Sequence, residues 1–262
     1  MSRVRYEVDR GVAVLTLDEA PANAYSYEMM QDLDAAILRA RFDENVHVLV
    51  LTGAGEKFFC AGADVRTLQQ VTPEYKYYFC LHANETLCRL EQTPKLVLAA
   101  LNGHTVGGGL EVALACDLRL ARKDGGKLGV PEVALGVLPG TGGTQRLVRL
   151  VGKSAALRLM AEGRNLTFDE GRELGLVDQV LPGDRAAFLD AVLAYARTFA
   201  PPAKASRAVG RIKRAVVSGA EMSFADGLAL ERELQQQLFL GEDAREGMAA
   251  FVEKRPPQFK GR

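Results

Sequence analysis

Apolar residues along the first half of the chain follow two rhythms. Short runs rich in β-branched residues fall at 5–8, 12–17, 46–52, 96–100 and 117–121, and each predicts a strand. Between them the period lengthens to that of a helix. Met30, Leu33, Ile37 and Leu38 recur along 27–41, and 75–90 forms a second amphipathic stretch. Strands alternating with helices predict crossover connections, a largely parallel sheet, and ligand loops at the carboxyl ends of the strands. Beyond Gly140 the pattern turns almost wholly helical, at 144–151, 154–161, 168–174, 186–199, 203–217, 224–240 and 243–252, with only 176–181 strand-like. Pro201 and Pro202 break the preceding helix. The reading is an α/β core over 1–200 and a helical covering region over 201–262. The apolar faces of that region need either the core or another subunit to cover them.

A glycine-dense stretch breaks this rhythm. Gly107-Gly108-Gly109 is expected directly after the 96–100 strand, and Leu110 to Cys116 then reads as a short apolar helix. Glycines let a backbone approach a ligand closely, and the first N–H groups of a helix are open to an anion. Glu111 falls in the first turn of this helix. Glu132 follows after Pro131, too far along the chain to share its face but suited to converge on it from a second loop. Two such carboxylates could divide proton transfer while the N–H groups hold developing negative charge. The usual fate of a lone glutamate is the solvated surface. Leu110, Val112, Val130 and Val133 flank this pair, which favours burial and, with it, raised and coupled proton affinities.

Composition narrows the function classes. The 262 residues, 48% of them hydrophobic, suffice for a substantial core, and 33 basic residues balance 33 acidic ones. No overall field attracts nucleic acid or an anionic membrane. Cys60, Cys80, Cys88 and Cys116 form no CxxC pair, the first residues carry no apolar signal core, and no apolar run is long enough to span a bilayer. Free thiols and a cytoplasmic location are expected. His47, His82 and His104 lack metal-site spacing, so no metal is expected. Val151-Gly152-Lys153-Ser154 has the end of a phosphate loop but Leu147 where its upstream glycine belongs.

Five segments in order carry a resemblance: Phe59-Cys60-Ala61-Gly62-Ala63-Asp64-Val65; Asn102-Gly103-His104-Thr105-Val106-Gly107-Gly108-Gly109-Leu110-Glu111; Pro131-Glu132-Val133-Ala134-Leu135-Gly136; Pro139-Gly140-Thr141-Gly142-Gly143-Thr144-Gln145-Arg146-Leu147; and Glu242 to Gly247 with Phe251 to Arg255. Over essentially its full length the chain resembles the crotonase, or enoyl-CoA hydratase/isomerase, family. The resemblance implies a spiral of ββα units with a helical C-terminal region, assembled as homotrimers or homohexamers. It implies reversible syn addition of water to a trans-2-enoyl-CoA, giving the 3-hydroxyacyl-CoA of fatty acid β-oxidation. Coenzyme A enters as part of the substrate, and no cofactor is needed.

By motif position the resemblance gives the oxyanion-hole N–H groups to Ala63 and Gly108, water activation to Glu111, protonation of the α-carbon to Glu132, and water positioning to the Gly140 N–H. It assigns CoA binding to Pro21, Ala22 and Ala24 of one loop, with Ala61, Arg66 and Lys254, and Lys260 as a further tail candidate. Asp18-Glu19-Ala20 precedes that loop where relatives often carry a base, a departure from the family pattern. The segments 68–78 and 135–138 are expected to wall the acyl pocket. A double-bond isomerase, which can operate with one carboxylate, is the nearest rival. A non-catalytic RNA-binding or assembly module is opposed by the zero net charge and the intact glutamate pair.

Overall fold

A computed structural model describes residues 2–262. Strands β1 (Val4–Asp9) and β2 (Val12–Leu17) form a hairpin whose turn residues, Arg10 and Gly11, both have positive φ, the conformation that suits a tight hairpin to twisted strands. There follow α1 (Tyr27–Phe42), β3 (Val48–Gly53), β4 (Phe58–Cys60), α2 (Val65–Leu68), α3 (Pro73–Glu91), β5 (Leu96–Leu101), β6 (His104–Val106) and α4 (Gly108–Leu114). Next come β7 (Leu118–Arg122), β8 (Lys127–Gly129), a 3₁₀ turn (Glu132–Leu135), α5 (Gly143–Val151), α6 (Lys153–Glu162), β9 (Leu166–Thr167) and α7 (Phe168–Glu173). The chain closes with β10 (Gln179–Leu181), α8 (Arg185–Arg197), α9 (Ser206–Gly219), α10 (Phe224–Phe239) and α11 (Glu242–Glu253).

The larger sheet runs β1-β2-β3-β5-β7-β10, parallel except for β1. A smaller sheet, β4-β6-β8-β9, lies beside it. From β3, β5 and β7 the chain passes each time into the smaller sheet, at β4, β6 and β8, before turning into helix. That is the expected spiral of ββα units. The small strands escape a reading by alternation because each has only two or three residues. They correct one expectation: the glycine turn follows β6, not β5.

Buried Asn102 fixes the step between sheets. Its Oδ1 accepts the Gly53 N–H at 2.9 Å and the Thr52 hydroxyl at 3.2 Å, and its Nδ2 donates to the Gly55 carbonyl at 3.0 Å and the Phe58 carbonyl at 3.3 Å. With all its capacity used, the amide locks two crossings in register.

All six residues of β3 are buried, as a parallel strand covered on both faces requires. Leu49 and Leu51 join the core beneath α1 and α3, while Val48 and Val50 meet Phe188, Val192 and Ala196 of α8. In the covering region, α9 returns to the core, where buried Lys213 pairs with the partly buried Asp117 at 2.8 Å. The far side stays uncovered within one chain: Phe224, Leu240 and Phe251 are exposed, the last at 86%.

Candidate active site

The glycine run is already helix, since α4 begins at Gly108, two residues before the apolar stretch that predicts it. Gly107 holds φ 57° and ψ −135°, a conformation open mainly to glycine. A Cβ on Gly108 would lie 2.4 Å from the Tyr25 hydroxyl oxygen, so only glycine fits between that ring and the turn. The 61–63 segment runs alongside, with the Cβ position of Gly62 only 2.8 Å from the Gly108 nitrogen. The N–H of Gly108 opens α4, where no intrahelical acceptor exists, and among the described residues the Ala63 N–H likewise has no acceptor. Two unpaired backbone donors thus sit side by side.

Glu111 is 1% exposed, and its carboxylate accepts three hydrogen bonds. Oε1 accepts the N–H of Thr141 at 2.8 Å and of Gly143 at 2.7 Å, and Oε2 accepts the Thr141 hydroxyl. The Tyr25 hydroxyl lies 3.2 Å from that Thr141 oxygen and, as the Thr141 proton is committed to Glu111, donates to it.

Glu132 meets the opposite surroundings. It opens the 3₁₀ turn, half-buried, and no donor reaches its Oε2. Burial raises its proton affinity to about 7, Glu111 adds to the rise, and its own backbone N–H and Lys76 oppose it. Glu132 faces the glycine turn, its Oε1 3.0 Å from the Cβ position of Gly107, while Glu111, on the helix that this turn opens, has Oε1 3.0 Å from the Cβ position of Gly143 and is near enough for its charge to be felt at Glu132. Leu110, Val112 and Val130 are buried around the pair as expected, but Val133 is 46% exposed because the 3₁₀ turn directs it outward.

Gly140 stands where α3 passes, its Cβ position 3.1 Å from the Cys80 sulfur, and its N–H has no acceptor among the described residues. Ala61 and Ala22 are joined by an N–H to carbonyl bond of 3.1 Å, and the Tyr25 N–H bonds the Gly62 carbonyl at 2.9 Å. Pro21, Ala22, Ala24 and Ala61 therefore form one rim beside Ala63. Asp18 and Glu19 before that loop are occupied by Arg5 at 2.9 Å and Arg3 at 2.6 Å. Arg66 is exposed on α2, with no ion-pair partner among the described residues. Lys254 is not brought to this rim by any hydrogen bond or ion pair among the described residues. It caps the end of α11 in a left-handed conformation.

A family profile described as enoyl-CoA hydratase/isomerase matches residues 7–262. The chain belongs to this family. It is 36% identical over 264 residues to the short-chain-enoyl-CoA hydratase of Clostridium acetobutylicum, covering 100% of this chain and 99% of that one. A crystal structure of enoyl-CoA hydratase from Geobacillus kaustophilus HTA426 superposes with a TM-score of 0.96 at 44% identity, over 100% of this chain and 98% of that one. One from Bacillus anthracis gives a TM-score of 0.93 at 33% identity, with both chains fully covered.

Within this family fold, sequence reading misses Tyr25, Thr141, Cys80 and Lys76. Thr141 lies within a quoted motif and Tyr25 directly after the 21–24 loop, but their side-chain bond joins residues 116 positions apart. Cys60 and Cys116, both buried, have thiols pushed up to about 12. Among the described residues no group of three or more potential ligands is arranged for a metal, and no helix is long and apolar enough to cross a membrane.

Proposed function

We propose that the protein adds water reversibly to trans-2-enoyl-CoA thioesters. The observation that carries this is the opposed environment of the two glutamates: Glu111 is held by three donors, while Glu132 has a free oxygen and a proton affinity near 7. One glutamate gripped by donors beside another with a free oxygen and a raised proton affinity suits a base and an acid working at one pH. Glu111 takes a proton from water as its oxygen bonds the β-carbon. The electron pair of the double bond moves toward the thioester oxygen, where the N–H groups of Ala63 and Gly108 receive the charge. Protonated Glu132 then delivers its proton to the α-carbon on the same face. The Gly140 N–H orients the water.

On this reading the chemistry is completed by side chains, water and backbone, and no cofactor takes part. The rim of Pro21, Ala22, Ala24 and Ala61 receives the adenine and pantetheine of CoA, and Arg66 faces its phosphates. Lys254 serves a CoA bound by a neighbouring subunit. The uncovered apolar side of α10 and α11 supports a homotrimer or homohexamer. Acyl-CoA chemistry of this kind belongs to cytoplasmic fatty acid β-oxidation.

Crotonyl-CoA tests the reading. Loss of the enoyl-thioester absorbance with formation of 3-hydroxybutyryl-CoA is expected; a shifted double bond without water uptake would make the protein an isomerase.

A further inference from the structure

We propose that Lys76 forms the far end of the acyl pocket and selects enoyl-CoA substrates whose acyl chain ends in a carboxylate. This inference rests on the hydratase reading and adds the class of acyl group.

Residues four apart on a helix share a face, so Lys76 and Cys80 point the same way from α3. The Cys80 sulfur lies 3.1 Å from the Cβ position of Gly140. That face of α3 therefore looks onto the turn that grips Glu111. Lys76 is half-buried, with its ammonium 5.2 Å from the centre of the Phe79 ring. Its charge is also felt at Glu132. Yet among the described residues the Lys76 ammonium has no ion pair and no hydrogen-bond acceptor, whereas the comparably buried Lys95 donates to the Ala40 and Asp43 carbonyls. Tyr75 and Tyr78, its neighbours along α3, are aromatic and exposed.

The α- and β-carbons of the substrate lie between Glu132 and Glu111. The acyl chain then continues past Gly140 and Cys80. One further turn of α3, about 5.4 Å along its axis, brings it to Lys76, a span of a few carbon atoms. An alkyl terminus there would press on an ammonium and strip its water without replacing it. A carboxylate would supply the missing partner, over an aromatic face that already favours the cation. Charged hydrogen bonds of this kind contribute enough to change kcat/KM by roughly 10- to 100-fold. A flexible lysine stem can follow carboxylates placed one or two carbons differently.

The test compares hex-2-enoyl-CoA with the six-carbon analogue that carries a carboxylate in place of the terminal methyl. The wild-type protein should prefer the carboxylate form by roughly 10- to 100-fold in kcat/KM. Lys76→Met should bring the two substrates level, and Lys76→Arg should keep the preference. Hydration of hex-2-enoyl-CoA with no preference for the carboxylate form would overturn this inference and leave the hydratase reading standing. So would Lys76→Met changing both substrates by the same factor, since Lys76 would then serve Glu132 alone. Hydration of neither by protein that hydrates crotonyl-CoA would overturn this inference alone; hydration of none of the three would overturn the hydratase reading, and this inference with it.

Discussion

Thr141 holds Glu111 twice, with its backbone N–H 2.8 Å from one carboxylate oxygen and its hydroxyl on the other. The backbone bond would survive any side-chain change; the hydroxyl bond would not. Thr141→Val keeps the volume of the side chain but leaves Glu111 Oε2 and the Tyr25 hydroxyl without their shared partner. A buried polar group stranded in this way costs about 1–3 kcal/mol. The expected result is a kcat lower by roughly tenfold or more, largely restored by Thr141→Ser, with KM little changed. Steady-state kinetics on crotonyl-CoA checks it, and equal kcat in the valine variant would show that the hydroxyl is idle.

The proton affinity of Glu132, near 7, sets a pH dependence whose sign follows from its role. Hydration needs the acid form, so kcat/KM should fall as pH rises through about 7; dehydration passes through the same singly protonated pair and, as the overall reaction takes up no proton, its kcat/KM should fall in parallel. Stability follows the same proton. A carboxyl whose folded value stands above its unfolded one stabilises fully below the unfolded value, and this contribution is lost as pH rises through the folded value. Glu132→Gln should therefore melt higher than wild type at pH 8.5, with the gap closing toward pH 4. Allowing for solvent screening of a half-exposed group, the difference is about 1–2 kcal/mol. Parallel melting curves across that range would contradict it.

Gly108 and Tyr25 are matched in space. A methyl group on Gly108 would meet the Tyr25 ring and hydroxyl at 2.4 to 2.7 Å, so Gly108→Ala should destabilise the protein and abolish turnover. Adding Tyr25→Ala removes the obstacle. The double variant should melt above the sum of the two single effects, a coupling that thermal denaturation measures directly. Strict additivity would mean that the turn relaxes away from the ring.

The apolar side of α10 and α11 is exposed within one chain, and the proposed assembly would cover it. Each chain has a mass of 28.4 kDa, and sedimentation should give a particle of three or six copies. Phe251→Glu combined with Leu240→Glu should shift the population to smaller species. A wild-type monomer would remove assembly from the account.

What the sequence makes legible follows physical range. The centre of the larger sheet can be read because β2, β3 and β5 carry six-residue, mainly apolar runs, and β3 shows the near-continuous apolar character of a strand buried on both faces. The smaller sheet cannot, because two or three residues hold no period. Glu111 and Glu132 stand out because glycines and proline mark their turns. What distinguishes them is supplied from elsewhere: Thr141 and Gly143 for one, an absent donor for the other. Contacts of this kind join residues tens of positions apart and leave no local pattern. Lys76 is hidden for the same reason, since on α3 it reads as one more polar position of an amphipathic helix.

The central claim is that two glutamates share one hydration. The direct measurement is turnover of crotonyl-CoA by Glu111→Gln and Glu132→Gln, with acyl-CoA binding measured on the same preparations. Each substitution removes one proton-transfer group, and such groups typically contribute roughly 10²- to 10⁴-fold. The account predicts a loss of that size in kcat for both variants, with binding within a few-fold of wild type. Full turnover by either variant would contradict it.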